Sequence, residues 1–227
     1  MSASSSSRIT PGALGILGGT FDPIHFGHLR LAQEVADALS LSEVRFIPAG
    51  TPPHRATPQT SAVHRVAMVK EAIADNPLFV LDERETRREG LSYSVDTLAA
   101  LRAEQGAARP LVLIMGADAF LAFHRWHRWP DIFSLAHIAV AHRPGAALMQ
   151  INDAALAQEF ARRRADNVEA LWQAPAGRIA EVPITALDIS ATAIRAALLS
   201  RRSARYLTPP AVLAYVDCNY LFYNGNL

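Results

Sequence analysis

The 227-residue sequence contains a single cysteine, Cys218. One thiol cannot form a disulfide within the chain, and it cannot supply a metal site built from several cysteines. A disulfide-rich scaffold and a cysteine-rich zinc module are therefore excluded. The scarcity of cysteine also fits a reducing compartment, and we expect the protein to act in the cytoplasm.

The chain also lacks an excess of charge of either sign. Its 22 lysine and arginine residues balance 21 acidic residues, which gives a formal net charge of +1. A nearly neutral chain has no general attraction for nucleic acid or for acidic membranes. We therefore expect no nucleic-acid partner, and any anion must be bound by a local group of residues.

Long apolar runs are absent as well, so we expect no membrane partner. The segment 1–12 is rich in serine and has no apolar stretch typical of a secretory signal, and we interpret it as a disordered leader. Hydrophobic residues make up 50% of the chain, which is enough for a packed core. We expect the segment 13–227 to form a single domain.

Short apolar segments alternate with helical patterns along the chain. The predicted strands cover residues 13–17, 44–48, 78–81, 111–115, 138–141 and 179–182. This alternation predicts an α/β fold, a Rossmann-like doubly wound parallel sheet with helices on both faces. A small helical part at the C-terminus, about residues 189–227, completes the predicted domain.

The first predicted strand ends in Gly18-Gly19, where the backbone needs either a positive φ or a close approach. His25 and His28 follow near the start of a helix, with Gly27 between them. Backbone N–H groups, the positive end of a helix dipole and two titratable cations together predict a phosphate site. A histidine pair can also bind a metal, but no nearby cysteine or second histidine pair completes a ligand set.

A second candidate anion site opens a later helix. Ser190, Thr192 and Arg195 lie within its first turns, where hydroxyls, N–H groups and a guanidinium can face an anion. Asp188 or Ser190 is expected to cap this helix. The alternative is a capped helix with an exposed arginine and no ligand.

Of three further features, two have two interpretations each. Asp118, just after Gly116 at a strand end, can bind a ribose or cap the next helix. Ser92 or Ser94 is expected to cap a helix that follows them. Trp126, in a run of aromatic residues and cations, can stack on a planar ring or belong to the core.

Two charged runs are expected to be solvated. One is the mixed-sign run 82–89, which we interpret as a surface loop, and the other is the arginine run 162–164.

Two of these motifs resemble a known paired signature. The pair is similar to the signature of the nucleotidylyltransferase superfamily. Its two parts are Gly18-Gly19-Thr20-Phe21-Asp22-Pro23-Ile24-His25-Phe26-Gly27-His28 and Ile189-Ser190-Ala191-Thr192-Ala193-Ile194-Arg195. The middle motifs resemble its bacterial nicotinate mononucleotide adenylyltransferases: Pro52-Pro53-His54-Arg55, Ser92-Tyr93-Ser94-Val95-Asp96-Thr97-Leu98, Gly116-Ala117-Asp118 and Trp126. The resemblance runs from about Ala13 to the last helix.

The resemblance implies a reaction in which nicotinate mononucleotide and ATP give nicotinate adenine dinucleotide and pyrophosphate, for NAD synthesis. It implies catalytic roles for His25, His28 and Arg195. The implied ATP site consists of Gly18, Gly19, Thr20, Phe21, His25, Gly27, His28, Gly116, Asp118, Ile189, Ser190, Thr192 and Arg195. The implied acceptor site consists of His54, Arg55, Ser94, Val95, Trp126 and His127.

Three positions depart from the family pattern. Leu91 stands where proline is usual, Ser94 where threonine is usual, and His127 where tyrosine is common. His127 keeps its role if only its backbone N–H binds the acceptor.

The implied chemistry agrees with the residues present. A phosphate oxygen of the acceptor is already ionised, so the reaction needs positioning and charge neutralisation more than a general base. Mg²⁺ is expected to arrive with ATP and to be held by phosphate oxygens and water. No metal site made of protein ligands alone is expected, and a homo-oligomer is left open.

Three other functions fit the sequence less well. Phosphopantetheine adenylyltransferase belongs to the same superfamily, but its acceptor has no pyridine ring for Trp126 to stack on. A regulatory module that binds ATP without turnover would not need His25, His28 and Arg195 intact. A dehydrogenase is disfavoured because the glycines lack the G-x-G-x-x-G spacing.

Overall fold

The computed structural model describes residues 12–51, 58–143 and 151–223. Its strands are β1 (Leu14–Gly19), β2 (Glu43–Pro48), β3 (Phe79–Leu81), β4 (Leu111–Gly116), β5 (His137–His142) and β6 (Ile179–Pro183). They form one sheet in the order β3-β2-β1-β4-β5-β6, and every neighbouring pair is parallel. The predicted parallel sheet is confirmed, and each predicted strand agrees with the structure to within two residues at either end.

Helices connect the strands and close the chain. They are α1 (Phe26–Leu39), α2 (Ala62–Ile73), α3 (Ser94–Gln105), α4 (Ala117–Leu121), α5 (Trp129–Leu135), α6 (Ala154–Arg163), α7 (Val168–Leu171), α8 (Ala191–Leu199) and α9 (Pro210–Cys218). A single 3₁₀ turn, Phe123–Arg125, lies between α4 and α5. None of the helices in the described part of the chain combines the length and the apolar character needed to cross a bilayer.

The helices cover both faces of the sheet, as the doubly wound pattern predicts. On one face, α1, α2, α8 and α9 bury apolar side chains in one core cluster. On the other face, α3, α5 and α6 pack over a second cluster. Two covered faces explain why the strands are nearly continuous apolar runs, with β4 buried from Leu111 to Met115.

The strand order reverses between β1 and β4, which run side by side at the centre of the sheet. In open α/β sheets, the connections at such a point leave in opposite directions and open a crevice at the carboxyl ends of the strands. Gly18 and Gly19 end β1, and Gly116 ends β4. The fold therefore brings these predicted site residues to one edge of the sheet.

The buried face of α2 differs from the predicted one. The sequence pattern predicts Val66, Val69, Ala72 and Ile73 on one face of this helix. The structure buries Val69 and Ile73, as predicted, together with Arg65 and Met68 in place of Val66 and Ala72. A hydrophobic-periodicity rule counts arginine as polar and therefore assigns Arg65 to the exposed face of the helix. Arg65 is nevertheless only 1% exposed, because its guanidinium finds carbonyl partners inside the protein.

The prediction of a solvated loop at 82–89 is wrong at Glu85. This side chain is buried and accepts a hydrogen bond of 2.6 Å from the Thr97 hydroxyl. Burial raises the pKa of the Glu85 carboxyl, although the Thr97 bond and nearby Arg88 oppose the shift.

The prediction of solvated arginines at 162–164 is wrong at Arg163. Its guanidinium lies 4.3 Å from the centre of the Phe133 ring and donates to the carbonyl of Gly177. The aromatic face and the carbonyl hold this cation at the protein surface rather than leaving it in water.

Candidate active site

The turn between β1 and α1 is shaped by Phe21. Its φ of 52° lies in the left-handed region, and its ring is buried. A Cβ on Gly19 would lie 2.8 Å from this ring, whereas a Cβ on Gly18 would meet no atom within 4 Å. The sequence predicts a positive φ or a close approach at Gly18-Gly19, and the structure shows a close approach at Gly19. Gly18 leaves an open surface beside half-buried Thr20.

His25 and His28 lie against each other at the start of α1. Their ring centres are 3.7 Å apart with an angle of 26° between the planes. The His28 ring also meets the edge of the Phe21 ring at 5.1 Å. A Cβ on Gly27 would lie 3.0 Å from Nδ1 of His25, so a larger residue there would displace the His25 ring. The short spacing of the motif therefore reflects packing as well as chemistry.

The two histidines have different roles in this arrangement. Burial lowers the pKa of His25 to about 4, so its ring is neutral at pH 7. The expectation of two titratable cations is therefore wrong for His25. The backbone N–H of His25 donates to Nδ1 of His28 at 3.3 Å. A nitrogen that accepts carries no proton, so the His28 proton lies on Nε2, which can donate to an anion.

The start of α8 lies beside this turn. Ser190 caps α8, as predicted, and its hydroxyl accepts from the N–H of Ala193 at 3.1 Å. The carbonyl of Ile189 lies 3.6 Å from the position of a Cβ on Gly27. The two parts of the signature are thus separated in sequence and adjacent in space.

Arg195 connects α8 to the β1–α1 turn. One terminal nitrogen of its guanidinium donates to the carbonyl of Asp22 at 2.6 Å, and the other donates to the Thr192 hydroxyl at 3.3 Å. The side chain is therefore half-buried and does not project freely into water. The alternative without a ligand required an exposed arginine. Its charge is held at the junction of two helix starts, where backbone N–H groups already favour an anion.

The end of β4 supplies a third part of this corner. Gly116 precedes the first residue of α4, and Asp118 is exposed in its first turn. No side chain caps α4, so Asp118 is not the cap that the alternative interpretation required. A Cβ on Gly116 would lie 4.0 Å from Leu31 in α1, which is an ordinary contact. The exposed Asp118 carboxylate remains available to a polar ligand.

The start of α3 meets the turn that contains Trp126. The His127 ring packs on the Tyr93 ring at a centre-to-centre distance of 4.3 Å, and Tyr93 immediately precedes α3. Trp126 is half-buried and meets the edge of Phe123 at 5.3 Å. The structure therefore brings Ser94 and buried Val95 close to the Trp126 turn, as the resemblance implies.

The expected side-chain cap of α3 is wrong. No side chain caps this helix, because Ser94 is already its first residue and the Ser92 hydroxyl accepts from the N–H of Gly50 at 3.1 Å. The predicted His54 and Arg55 lie outside the described residues, and their positions stay predictions.

The residues whose hydrogen bonds fix the β1–α1 turn to neighbouring segments were not identified from the sequence. Asp22, only 4% exposed, accepts from the N–H of Gln59 at 2.7 Å and from the Thr60 hydroxyl at 2.6 Å. The Thr208 hydroxyl donates to the carbonyl of Ile24 at 2.7 Å. The proline that follows Asp22 and the one that follows Thr208 were the available signal, but the hydrogen-bond partners of both residues are remote in sequence.

Comparisons with known proteins identify relatives of the chain. A family model described as cytidylyltransferase-like matches residues 16–197. A protein of Dechloromonas aromatica named "Probable nicotinate-nucleotide adenylyltransferase" is 51% identical over 214 residues, covering 93% of this chain and 98% of the relative. A protein of the same name from Halorhodospira halophila is 52% identical over 201 residues, covering 88% and 90%.

A solved structure shares the fold at much lower sequence identity. It is the nicotinic acid mononucleotide adenylyltransferase of Plasmodium falciparum complexed with NaAD, with a TM-score of 0.70 and 15% identity. The match covers 93% of this chain and 97% of that chain. At this identity it supports the fold alone.

Proposed function

The chain belongs to the nicotinate-nucleotide adenylyltransferases of the cytidylyltransferase-like family, and we propose that its active site is the corner where α1, α4 and α8 begin. It is an enzyme that joins ATP and nicotinate mononucleotide into nicotinate adenine dinucleotide and pyrophosphate, in NAD biosynthesis. The observation that carries the proposed site is the Arg195–Asp22 contact, which joins the two halves of the signature.

In this proposal the reaction is a direct displacement at the α-phosphorus of ATP. A phosphate oxygen of the acceptor forms the new P–O bond, and the bond between the α-phosphorus and the bridging oxygen breaks. The electron pair of that bond leaves with pyrophosphate. Because the attacking oxygen is already ionised, the site must align the two phosphates and stabilise the growing charge, without a general base.

The residues at the corner supply the required donors. Nε2–H of His28, the Arg195 guanidinium and the N–H groups at the start of α8 are proposed to bind the phosphates, with Ser190 and Thr192 beside them. His25 is neutral and buried, and its proposed role is to hold the His28 ring. Gly18 provides open space for the nucleotide, and Gly116 and Asp118 are proposed to bind its ribose.

The acceptor is proposed to bind between the start of α3 and the Trp126 turn. A helix start offers N–H donors that favour a carboxylate, here at Ser94 and Val95. The half-buried Trp126 is proposed to stack on the pyridine ring, and the backbone N–H of His127 to bind the carboxylate. His54 and Arg55 keep their implied role in acceptor binding.

Mg²⁺ is proposed to accompany ATP. When bound, it neutralises phosphate charge and fixes the shape of the triphosphate chain. Among the residues that the structure describes, no group of three or more His, Cys, Asp or Glu side chains could hold a metal ion. The carboxylate of buried Asp22 already accepts two hydrogen bonds. Such a donor set fits an ion held by substrate oxygens and water. We also propose a cytoplasmic location, in line with the single cysteine.

The proposed function is tested by product analysis. The purified protein is incubated with Mg²⁺-ATP and, in separate reactions, nicotinate mononucleotide or 4′-phosphopantetheine. We expect nicotinate adenine dinucleotide and pyrophosphate in equal amounts. Transfer to phosphopantetheine alone would instead assign the other adenylyltransferase activity, and ATP binding without any product would assign a regulatory module.

A further inference from the structure

Arg65 is a buried cation that the reaction itself does not use. It lies in the first turns of α2 with a side chain only 1% exposed. Burial lowers the pKa of its guanidinium, and the nearby Asp22 carboxylate opposes that shift. Burying a guanidinium is costly unless its N–H groups find good partners, so the partners of Arg65 indicate what it does.

The two terminal nitrogens of Arg65 bind two different loops. One donates to the carbonyl of Thr20 at 2.9 Å, and the other donates to the carbonyl of Gly50 at 3.2 Å. Thr20 belongs to the β1–α1 turn, which also holds Phe21 and contacts His28. Gly50 follows β2, the strand that pairs with β1 on the side away from β4. A single rigid fork thus spans the two loops.

Gly50 belongs to the acceptor side of the site. Its N–H donates to the Ser92 hydroxyl, and the N–H of Ser92 donates back to the carbonyl of Thr51 at 2.9 Å. Two residues later, Ser94 begins α3, where the acceptor is proposed to bind. The Gly50 loop is therefore connected to the acceptor half of the site through a pair of hydrogen bonds.

Gly50 is also enclosed on its other side. A Cβ there would lie 2.3 Å from the carbonyl oxygen of Glu85, so the backbone is packed against that segment. On the ATP side, Asp22 is bonded to Gln59 and Thr60, just ahead of α2. The β1–α1 turn and the Gly50 loop, which supply the two carbonyl partners of Arg65, are therefore each held in place by further contacts.

We propose that Arg65 is a positioning residue that sets the spacing between the ATP half and the acceptor half of the site. The inference rests on the proposed function. A displacement reaction requires the attacking oxygen in line with the α-phosphorus, and a misplacement of about 1 Å can cost about 100-fold in rate. The planar guanidinium fixes two carbonyls at a defined separation, which neither lysine nor methionine can do.

The test compares the affinity for each substrate alone with the affinity for the dinucleotide, which spans both halves of the site. Arg65→Met and Arg65→Lys are assayed for kcat and for affinity toward a non-hydrolysable ATP analogue, nicotinate mononucleotide and nicotinate adenine dinucleotide. We expect kcat to fall by about 100-fold in Arg65→Met. Each single substrate should keep its affinity to within a few-fold. The dinucleotide spans both halves, so its affinity should fall by about tenfold or more.

Arg102→Met is the matched control. Arg102 also has a guanidinium bonded to backbone carbonyls, those of Leu135, Gly106, Arg109 and Pro175, and burial also lowers its pKa. Gly106 and Arg109 lie between α3 and β4, Leu135 ends α5 just ahead of β5, and Pro175 precedes β6. All four carbonyls therefore lie ahead of strands, whereas the site lies where strands end. The control should lose stability while kcat per folded molecule and the affinity for the dinucleotide stay near the wild type.

Other outcomes overturn the inference. If Arg65→Met behaves like Arg102→Met, Arg65 is only structural. If the two single substrates lose as much affinity as the dinucleotide, it does not set the spacing. Arg65→Lys retains the charge and should fall between the wild type and Arg65→Met, and it carries the test if Arg65→Met does not fold. A wild-type protein that makes no dinucleotide contradicts the proposed function itself, a result separate from all of these.

Discussion

The guanidinium of Arg195 donates a hydrogen bond of 2.6 Å to the backbone carbonyl of Asp22, 173 positions away in the sequence. This contact closes the corner formed by the starts of α1 and α8. It also fixes the position of the Arg195 guanidinium, the cation that is proposed to stabilise the departing pyrophosphate. The corner is thus defined by a bond between two segments that are remote in sequence.

Replacement of Arg195 tests this role. Arg195→Met should lower kcat by about 10²–10³, because one preorganised donor to the transition state is lost. Arg195→Lys should recover part of this loss, since it restores the charge but cannot reach both Asp22 and Thr192 with a planar fork. Steady-state kinetics of both variants provide the measurement. A Met variant with wild-type turnover would remove Arg195 from the mechanism.

His28 should act mainly in the transition state. His28→Ala should lower kcat by about 10²–10³ while the KM for ATP changes much less, because the charge that it stabilises grows during the displacement. His137→Gln is a suitable control, since His137 begins β5 at the end of the sheet opposite the site. A folded His28→Ala enzyme with normal kcat would show that Nε2–H is not used.

Two adjacent glycines should respond differently to the same substitution. Gly19→Ala should destabilise the fold by about 1–3 kcal/mol, because its Cβ would lie 2.8 Å from the Phe21 ring. Gly18→Ala should leave the melting temperature unchanged and raise the KM for ATP, because its Cβ enters the open space proposed for the nucleotide. Normal ATP kinetics in a stable Gly18→Ala variant would mean that ATP binds elsewhere.

Stability should fall on mild acidification. Burial lowers the pKa of His25 and of His137 from 6.5 to about 4 in each case. Between these values the unfolded chain binds more protons than the folded one, so stability is lost as pH falls from 6.5 toward 4. Each histidine should contribute a loss of about 3 kcal/mol over this window.

Denaturant unfolding of wild type and of His137→Gln at pH 7 and pH 4.5 tests this linkage. Glutamine does not titrate, so the variant should show about half of the wild-type loss in this window. An equal loss in both proteins would show that His137 takes up its proton in the folded state as readily as in the unfolded one.

Much of the fold could be predicted because buried parallel strands are short apolar runs, as in β4 and β5. The proximity of the His25–His28 motif to the Arg195 motif was also predictable, since each is a short local motif of the same signature. Arg65 was not, because a periodicity rule assigns arginine to the surface and its two carbonyl partners come from other segments. The prediction that Ser92 can cap α3 failed for the same reason, since its hydroxyl accepts a hydrogen bond from the N–H of Gly50, 42 positions away.

The most direct test of the account is the ratio of kcat/KM for nicotinate mononucleotide to that for nicotinamide mononucleotide, measured in the wild type and in Trp126→Ala. The donors at the start of α3 suit a carboxylate and leave an amide NH₂ unpaired, so the wild-type ratio should strongly favour the acid. If Trp126 stacks on either ring, as proposed, its removal should weaken both acceptors alike and leave the ratio high. Equal use of both acceptors by the wild type would contradict the assignment of the acceptor site, and a ratio lost only in Trp126→Ala would move selectivity from α3 to the tryptophan.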